Sequence, residues 1–133
     1  MVFDATTPDG FGYAMLFAGN YFIANEDDYG LKDSDLAVVI VARHHATPFA
    51  FNDAMWKKYG DTISRLANFT DPKTKQAPTS NLYNVPDIGL PNKGGTLDAL
   101  IKRGVQFAVC LMATRQLADS LADAVEGSLS AHY

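Results

Sequence analysis

The sequence is short of thiols, of positive charge and of long apolar runs. One cysteine among 133 residues excludes an internal disulfide, so the chain does not depend on an oxidising compartment to fold. Eleven Lys and Arg against fifteen Asp and Glu leave a net charge of −4. Nucleic-acid-binding domains normally present a basic patch, so this charge argues against a nucleic-acid partner.

Membrane and export signals are also missing from the chain as it stands. No apolar stretch is long enough to cross a bilayer. The N-terminus lacks a basic segment followed by an apolar one, which a secretion signal would need. Hydrophobic residues at 47% and charged residues at 20% are instead typical of one globular domain that can bury a core.

The first part of the chain predicts a strand followed by a helix. Val2 and Phe3 are typical of the tail of a strand. Thr7-Pro8-Asp9 combines a capping hydroxyl, a proline at the first helical position and an acid in the first turn, which is a helix start. The helix is predicted to run to about Asn25 with apolar residues around most of its circumference. Such a helix is buried on several sides, so a second subunit is the expected cover.

A second strand and helix follow. Leu36–Ala42 is apolar throughout and rich in β-branched residues, as in a central parallel strand. Arg43-His44-His45-Ala46 forms the predicted loop at its carboxyl end. Thr47-Pro48 repeats the cap-plus-proline start, so a helix is predicted from there to Gly60, with one or two further turns to Ala67.

The stretch from Asp61 to Gly95 shows the weakest pattern of regular secondary structure. Four prolines fall within it and prevent a long regular element. A loop this long in a compact domain is usually functional, as a lid or an interface arm, or mobile. We therefore expect a single domain, residues 1–133, with a long loop insertion at about 61–95.

Regular structure returns with a helix, a strand and a last helix. Thr96 is predicted to cap the start of a short helix, and Gly104 is predicted to end this helix in the left-handed conformation. An apolar strand then runs to Met112, and a final helix is predicted at about Thr114–Val125. Strands and helices that alternate in this order predict an α/β fold, with a parallel sheet, helices on both faces and right-handed crossovers.

Cys110 is the first candidate for chemistry. Ligands bind outside the carboxyl ends of parallel strands, and Cys110 lies near that end, on the strand face that also carries Gln106 and Ala108. Two interpretations stay open. In the first interpretation Cys110 is a core side chain, because free cysteine is among the most buried residue types. In the second interpretation Cys110 is a thiolate that faces the next helix, where backbone N–H groups and Arg115 stabilise it.

His44 and His45 are predicted to reach the same edge of the sheet as Cys110. Each is either a hydrogen-bonded loop histidine or a group that holds a proton or anchors an anionic ligand near neutral pH. Neighbouring histidines point in different directions, and no second thiol or carboxylate stands nearby at metal-ligand spacing. The sequence therefore predicts neither a metal nor a cofactor.

The chain resembles the DsrE/DsrF-like family of small sulfur-relay proteins, which have the DsrEFH-like fold. The resemblance rests on three stretches that span most of the chain. They are Leu36–Ala42 with its histidine loop and helix, the glycine-strand-cysteine segment from Leu100 to Cys110, and the strand-helix opening at Val2-Phe3-Asp4. Residues 61–95 are an insertion relative to compact family members.

The resemblance implies a three-layer α/β/α fold on a five-stranded, mostly parallel sheet, here without the family's C-terminal strand and helix. It also implies a homo-oligomer, a trimer or hexamer, and a persulfide on the cysteine that matches Cys110. A subgroup with similar long loops consists of exported proteins. The expected location is therefore cytoplasmic for the chain as written, or periplasmic if an export leader has been removed.

The resulting expectation is a sulfur-relay protein with sulfurtransferase-like activity. Cys110 carries sulfane sulfur between protein or small thiol partners, and His44 or His45 together with Arg115 stabilises the anion. One rival is a non-catalytic module that holds a small anion or nucleotide-like ligand between the histidine loop and the helix start at Thr114. The other is an assembly subunit that only packs against copies of itself.

Overall fold

Strands and helices alternate along the chain in the order that the sequence predicts. The computed structural model describes residues 1–86 and 88–131, with side chains as far as residue 123. Its elements are β1 (Val2–Ala5), α1 (Pro8–Tyr29), β2 (Val39–Ala42), α2 (Asp53–Ala67), α3 (Leu97–Lys102), β3 (Gln106–Val109) and α4 (Leu111–Ala131). Three short 3₁₀ helices lie at Asp33–Asp35, His44–Ala50 and Leu82–Asn84.

The described strands form one parallel sheet of three strands in the order β1-β2-β3. At its carboxyl edge, Ala5 pairs with Ala42 and Ala42 pairs with Val109. This confirms the predicted α/β class and the parallel sheet. The helical flanks are compatible with a three-layer architecture. β2 starts three residues later than predicted, at Val39 instead of Leu36.

One face of the sheet is covered by an aromatic core. Ile40 on the central strand is fully buried, and its neighbour Phe107 is half-buried. The ring of Phe11 on α1 lies 6.0 Å from the ring of Phe107, so α1 covers this face. Phe49 stacks on Phe11 at 5.7 Å and contacts Trp56 of α2 at 5.4 Å, which joins the second helix to the same core.

The opposite face of the sheet is much more accessible. Its side chains in the described strands are exposed or half-exposed: Val2, Asp4, Val39, Val41, Gln106 and Ala108. A parallel sheet normally has both faces covered, because its strands are apolar on both sides. A helical layer on this second face therefore stays a prediction.

The first helix begins where the sequence places it. The hydroxyl of Thr7 accepts a hydrogen bond from the N–H of Gly10 at 2.9 Å, which caps the free N-terminal donors. The helix runs four residues past Asn25 and ends at Gly30, where φ of +64° closes it in the left-handed conformation. The apolar circumference is only partly buried, since Tyr13 and Phe17 remain about half exposed.

The predicted start of the second helix and its predicted end at Gly60 were wrong, whereas the further turns to Ala67 are confirmed. Thr47-Pro48 lies in the 3₁₀ helix His44–Ala50, and α2 begins at Asp53, where the Asn52 side chain accepts from the N–H of Met55 at 3.1 Å. Gly60 does not end α2, which continues to Ala67. Gly60 packs directly against the carbonyl of Pro78, and a Cβ would overlap that oxygen. The glycine therefore serves a close approach of two backbones and not a helix end.

The long segment is packed into the protein and is not a detached lid. Because α2 extends to Ala67, the segment without long elements starts at residue 68 and ends at residue 96. Five of its described apolar side chains are buried: Phe69, Leu82, Tyr83, Ile88 and Leu90. The amide of Asn81, itself buried, donates to the carbonyls of Phe49 (2.6 Å) and Phe51 (2.9 Å), which ties the segment to the chain before α2.

The boundary between the last strand and the last helix also differs from the prediction. Thr96 caps α3 through the N–H of Ala99 at 3.2 Å, and Gly104 adopts φ of +97°, both as predicted. β3, however, ends at Val109, and α4 already starts at Leu111. Leucine, methionine and alanine are good helix formers, and a continuous apolar run does not distinguish a strand from the first turn of a helix.

Candidate functional site

Cys110 lies between the last residue of β3 and the first residue of α4. Its N–H donates to the carbonyl of Ala42 at 3.2 Å, so the sheet ladder continues to this residue. Its carbonyl accepts hydrogen bonds from both the N–H and the hydroxyl of Thr114, each at 2.9 Å. The bond from the N–H is the first backbone bond of α4. The side chain is half-buried and lies outside the apolar core. The side chain is therefore neither fully buried nor fully exposed, and its role stays a prediction.

This position places the thiol at the start of a long helix. The first N–H groups of a helix have no partner within it, and they carry the positive end of its dipole. Because α4 starts three residues earlier than predicted, Cys110 sits at the helix terminus itself and not several residues before it.

Arg43 is the nearest neighbour of Cys110 along the edge of the sheet. Arg43 follows β2 with extended backbone angles (φ −129°, ψ 162°), and its N–H donates to the carbonyl of Ala5 at 2.8 Å. The ladder therefore runs on past the pair Ala42 and Val109, so that Arg43 and Cys110 lie side by side. By strand alternation both belong to the accessible face of the sheet.

Asp4 completes this group from the third strand. The guanidinium of Arg43 donates to both oxygens of the Asp4 carboxylate, with Nε–Oδ1 at 2.8 Å and Nη2–Oδ2 at 2.6 Å. Bidentate pairs of this kind fix the orientation of the arginine plane. Asp4, Arg43 and Cys110 thus bring β1, β2 and β3 together at one edge; we call them the edge triad.

The charges of the edge triad influence one another. The hydrogen bond from Arg43 lowers the pKa of Asp4; desolvation opposes this change, and the positive charges of Arg43 and His44 add to the lowering. The hydrogen bond to Asp4 raises the pKa of Arg43, with a smaller contribution from Cys110. Arg43 is therefore a permanent cation at this edge of the sheet.

His44 and His45 lie next to this group and also line a cleft. His44 is exposed and adopts φ of +48°, a left-handed conformation that turns the chain sharply after Arg43. Both histidines border an open cleft of about 210 Å³ between the 3₁₀ helix, the end of α2 and the first turns of α4. Its other walls include Leu66, Ala113, Gln116, Leu117 and Ser120.

The predicted site residues therefore fall into two neighbouring places. Cys110 belongs to the edge triad, whereas the two histidines face the cleft, and Cys110 is not among the residues that line it. Arg115 is exposed on α4, one turn after Cys110, and its predicted role stays a prediction. Asp4 and Arg43 were not among the predicted site residues. Opposite charges directly after two apolar strand segments were the signal that could have revealed them.

The described residues contain neither a metal-binding cluster nor a helix that could span a membrane. No three His, Cys, Asp or Glu side chains among them form a group that could hold a metal ion. Within the same residues, no helix is long and apolar enough to cross a membrane. No family model, no curated protein and no solved structure matches this chain.

Proposed function

We propose that this protein is a sulfur-relay protein that carries sulfane sulfur as a persulfide on Cys110. The proposal rests on one observation, the position of Cys110 at the N-terminus of α4, at the sheet edge that also carries Arg43. A thiolate and a persulfide are both anions, and both are stabilised by unpaired helix N–H groups and a neighbouring cation. The resemblance to the DsrE/DsrF-like family, with its cysteine at the same point, supports the same role.

The transfer requires no oxidant or reductant. The Cys110 thiolate attacks the outer sulfur of a donor persulfide, a new S–S bond forms, and the donor's S–S bond breaks. The electron pair of the broken bond leaves on the donor sulfur as a thiolate. In the second half, an acceptor thiolate attacks the outer sulfur on Cys110 and regenerates the Cys110 thiolate. Sulfur moves at an unchanged total oxidation state.

The surrounding residues have separate roles in this proposal. Arg43, held flat by Asp4, compensates the charge of the thiolate and of the persulfide. His44 or His45 supplies a proton to the departing thiolate, since histidine exchanges protons near neutral pH. Arg115, on the exposed side of α4, adds positive charge for the anionic donor. These residues bind, orient and protonate, while the covalent chemistry belongs to Cys110.

The partners in this proposal are thiols on proteins or on small molecules. Leu111 and Met112 follow Cys110 directly, and both side chains are mostly exposed. Exposed large apolar side chains beside a reactive group favour a protein surface as one partner. The proposal includes a trimer or hexamer and a larger, five-stranded sheet of the DsrEFH-like type. The accessible second face of the sheet supports the addition of a further layer.

A transfer assay tests the proposal. The protein is loaded from a sulfane-sulfur donor, freed of excess donor, and mixed with an acceptor thiol whose persulfide is then quantified. We expect transfer by the wild-type protein and none by Cys110→Ser, which is a clean control because the chain has one cysteine. Equal transfer by both proteins would overturn the proposal.

The histidine cleft supports a second candidate function, a module that binds a small anion without chemistry. Its polar lining of two histidines, Gln116 and Ser120 offers donors to an anion. Ligand pockets for larger molecules usually enclose about 300 Å³ or more. At about 210 Å³ the cleft therefore fits a small anion better than a nucleotide.

Thermal-shift measurements on Cys110→Ala separate the two candidates. Inorganic phosphate and adenosine monophosphate are suitable probes, and His45→Ala is the matched control. If a probe stabilises Cys110→Ala as much as the wild-type protein, and His45→Ala abolishes the effect, binding without chemistry is supported. No shift with either probe contradicts this second candidate.

A further inference from the structure

A second cleft, of about 310 Å³, shares no lining residue with the histidine cleft and takes no part in the sulfur chemistry. It lies between the end of the first long 3₁₀ helix, the start of α2, α3 and strand β3. Clefts that bind small organic molecules usually enclose about 300 Å³ or more, so this one is large enough for such a ligand. We call it the aromatic cleft, and its large apolar walls are Phe49, Phe51, Leu97, Ile101 and Phe107.

Two carboxylates, those of Asp53 and Asp98, stand among these apolar walls. One oxygen of each is used within the protein. Oδ1 of Asp53 accepts from the N–H of Asn81 at 2.9 Å, and Oδ2 of Asp98 accepts from the side-chain amide of Asn84 at 3.0 Å. These bonds hold the carboxylates in place. The second oxygen of each accepts no hydrogen bond from the residues that the structure describes, so it is available to a ligand.

The amide side chains of the aromatic cleft are largely occupied by the protein itself. The amide nitrogen of Asn81 donates to two backbone carbonyls, and its oxygen accepts from the N–H of Tyr83 at 3.2 Å. The amide oxygens of Asn52 and Asn84 accept from backbone N–H groups at 3.1 and 3.0 Å. The strongest groups left for a ligand are therefore the two carboxylate oxygens. A matching ligand donates hydrogen bonds and carries positive charge.

The charges around the aromatic cleft favour the same kind of ligand. Its lining contains two carboxylates and no Lys, Arg or His. Lys57 and Lys102 follow Asp53 and Asp98 by one helical turn, but neither lysine lines the cleft. Neither carboxylate forms an ion pair with any residue in the described part of the chain. A cation in the cleft therefore meets two negative charges, together with phenylalanine rings, whose faces attract cations.

We infer that the aromatic cleft binds a small organic ammonium ion, that is, a protonated primary amine attached to an aromatic or aliphatic group. The ammonium group has three donors and no acceptor, and it donates to Asp53 and Asp98. The apolar part of the ligand packs against Phe51, Ile101 and Phe107, which are half-buried or exposed and so retain surface for it. The site uses no residue of the proposed sulfur transfer, and its function is separate.

Other ligand classes match these groups less well. An organic anion is repelled by both carboxylates. A neutral molecule without donors removes the carboxylate oxygens from water and leaves them without a partner, which is costly. A bare metal ion gains nothing from the apolar walls, and the described residues include no group of three potential metal ligands.

Ligand-detected NMR titrations of the full chain test the inference with three probes of similar shape. Phenylethylammonium is a cation, phenylethanol is neutral and phenylpropionate is an anion. We expect the cation to bind most tightly and the anion not to bind. Asp53→Asn and Asp98→Asn should each weaken binding of the cation about threefold, within the range of exposed ion pairs, and should leave phenylethanol unaffected. Asp61→Asn, which removes an exposed carboxylate of α2 outside the cleft, should bind like the wild-type protein.

The asparagine variants are suited to this test because asparagine keeps an oxygen that accepts the bond from Asn81 or Asn84. Circular dichroism verifies that they are folded. The inference is overturned if phenylethylammonium does not bind at millimolar concentration, or if phenylpropionate binds as tightly. It is also overturned if the double variant Asp53→Asn/Asp98→Asn binds the cation as well as the wild-type protein does.

A change in the apolar wall tests the location independently of charge. The side chain of Ile101 on α3 is 55% exposed, so Ile101→Ala affects the fold little while it removes part of the cleft. We expect it to weaken phenylethylammonium and phenylethanol by a similar factor. Ile23→Ala, at a 49% exposed position on α1 outside the cleft, is the matched control and should weaken neither. Equal effects of the two variants would contradict this location. All variants keep Cys110, so the result is separate from the test of sulfur transfer.

Discussion

The guanidinium of Arg43 binds both carboxylate oxygens of Asp4 through two hydrogen bonds, of 2.8 and 2.6 Å, at the carboxyl edge of the sheet. Asp4 belongs to the first strand, and Arg43 follows the second. The pair thus holds a cation in place at the same edge of the sheet as Cys110, which follows the third strand. The chemistry that we propose depends on this fixed cation.

The ion pair makes stability depend on pH in the acid range. The folded-state pKa of Asp4 lies below its unfolded value, so the pair stabilises the fold above about pH 4 and this contribution disappears as pH falls through the folded pKa. Near neutral pH we expect the wild-type protein to have a higher melting temperature than Asp4→Asn. This difference in melting temperature should shrink below about pH 4. Melting curves from pH 2.5 to 7 measure this. The exposed Asp61→Asn serves as control, and a constant difference would contradict the pairing.

The same cation should accelerate reactions of the thiol. Replacing Arg43 by Gln removes a positive charge from the sheet edge that carries Cys110, and we expect alkylation by neutral iodoacetamide at pH 7 to slow about fivefold. Arg43→Lys should retain part of the rate because it keeps the charge but loses the planar, two-bonded geometry. Arg115→Gln measured in parallel tests the residue that the sequence predicted. An Arg43→Gln rate equal to that of the wild-type protein would remove Arg43 from the proposed site.

Asn81 should be the most sensitive polar residue of the long segment. Its amide donates to the carbonyls of Phe49 and Phe51, so truncation leaves buried acceptors without a partner. We expect Asn81→Ala to lower the free energy of unfolding by about 2–4 kcal/mol. Asn84→Ala, which removes hydrogen bonds to Asp98 at an accessible position, should cost about 1 kcal/mol or less. Urea denaturation of both variants checks this, and equal losses would contradict the anchoring role.

Two helical glycines should respond in opposite directions to alanine. At Gly60 a Cβ would overlap the carbonyl of Pro78, so Gly60→Ala forces α2 and the long segment apart and should cost about 1–3 kcal/mol. At Gly19 a Cβ meets nothing within 4 Å, so Gly19→Ala should stabilise α1 by about 0.5–1 kcal/mol. The free energies of unfolding of both variants are measured at a protein concentration at which a single assembly state is present. A neutral Gly60→Ala would show that this close approach is not rigid.

The order of elements was predictable because local patterns and physical rules agreed. Thr7-Pro8 and Thr96 act as the caps that their residue types indicate, and Gly104 takes its predicted left-handed conformation. Alternating elements then imply a parallel sheet, which the structure confirms. Each of these features depends on short-range chemistry, which a sequence displays directly.

The errors arose where a distant contact decides the local structure. Gly60 resembles a helix end, but its role depends on Pro78, eighteen positions further on. Thr47-Pro48 resembles a helix start, but the carbonyl of Pro48 instead accepts from the indole of Trp56 at 3.0 Å, inside a 3₁₀ helix. The start of α4 was not predicted because the apolar run before it is compatible with either a strand or a helix.

The candidate site was predictable only in part for the same reason. Cys110 and the histidines follow apolar strands, so their common edge could be inferred from the topology. The link between Asp4 and Arg43 joins residues 39 positions apart, and it depends on the register of two strands. The division of the site between the edge triad and the histidine cleft depends on how α4 packs beside α2, which no local pattern specifies.

The most direct measurement of the central claim is the intact mass of the protein after incubation with a sulfane-sulfur donor. The account predicts that the wild-type protein gains the mass of one sulfur atom, that a reductant reverses the gain, and that Cys110→Ser shows none. An assembled wild-type protein that gains no sulfur, and whose Cys110 is also inert to alkylating reagents, would contradict it.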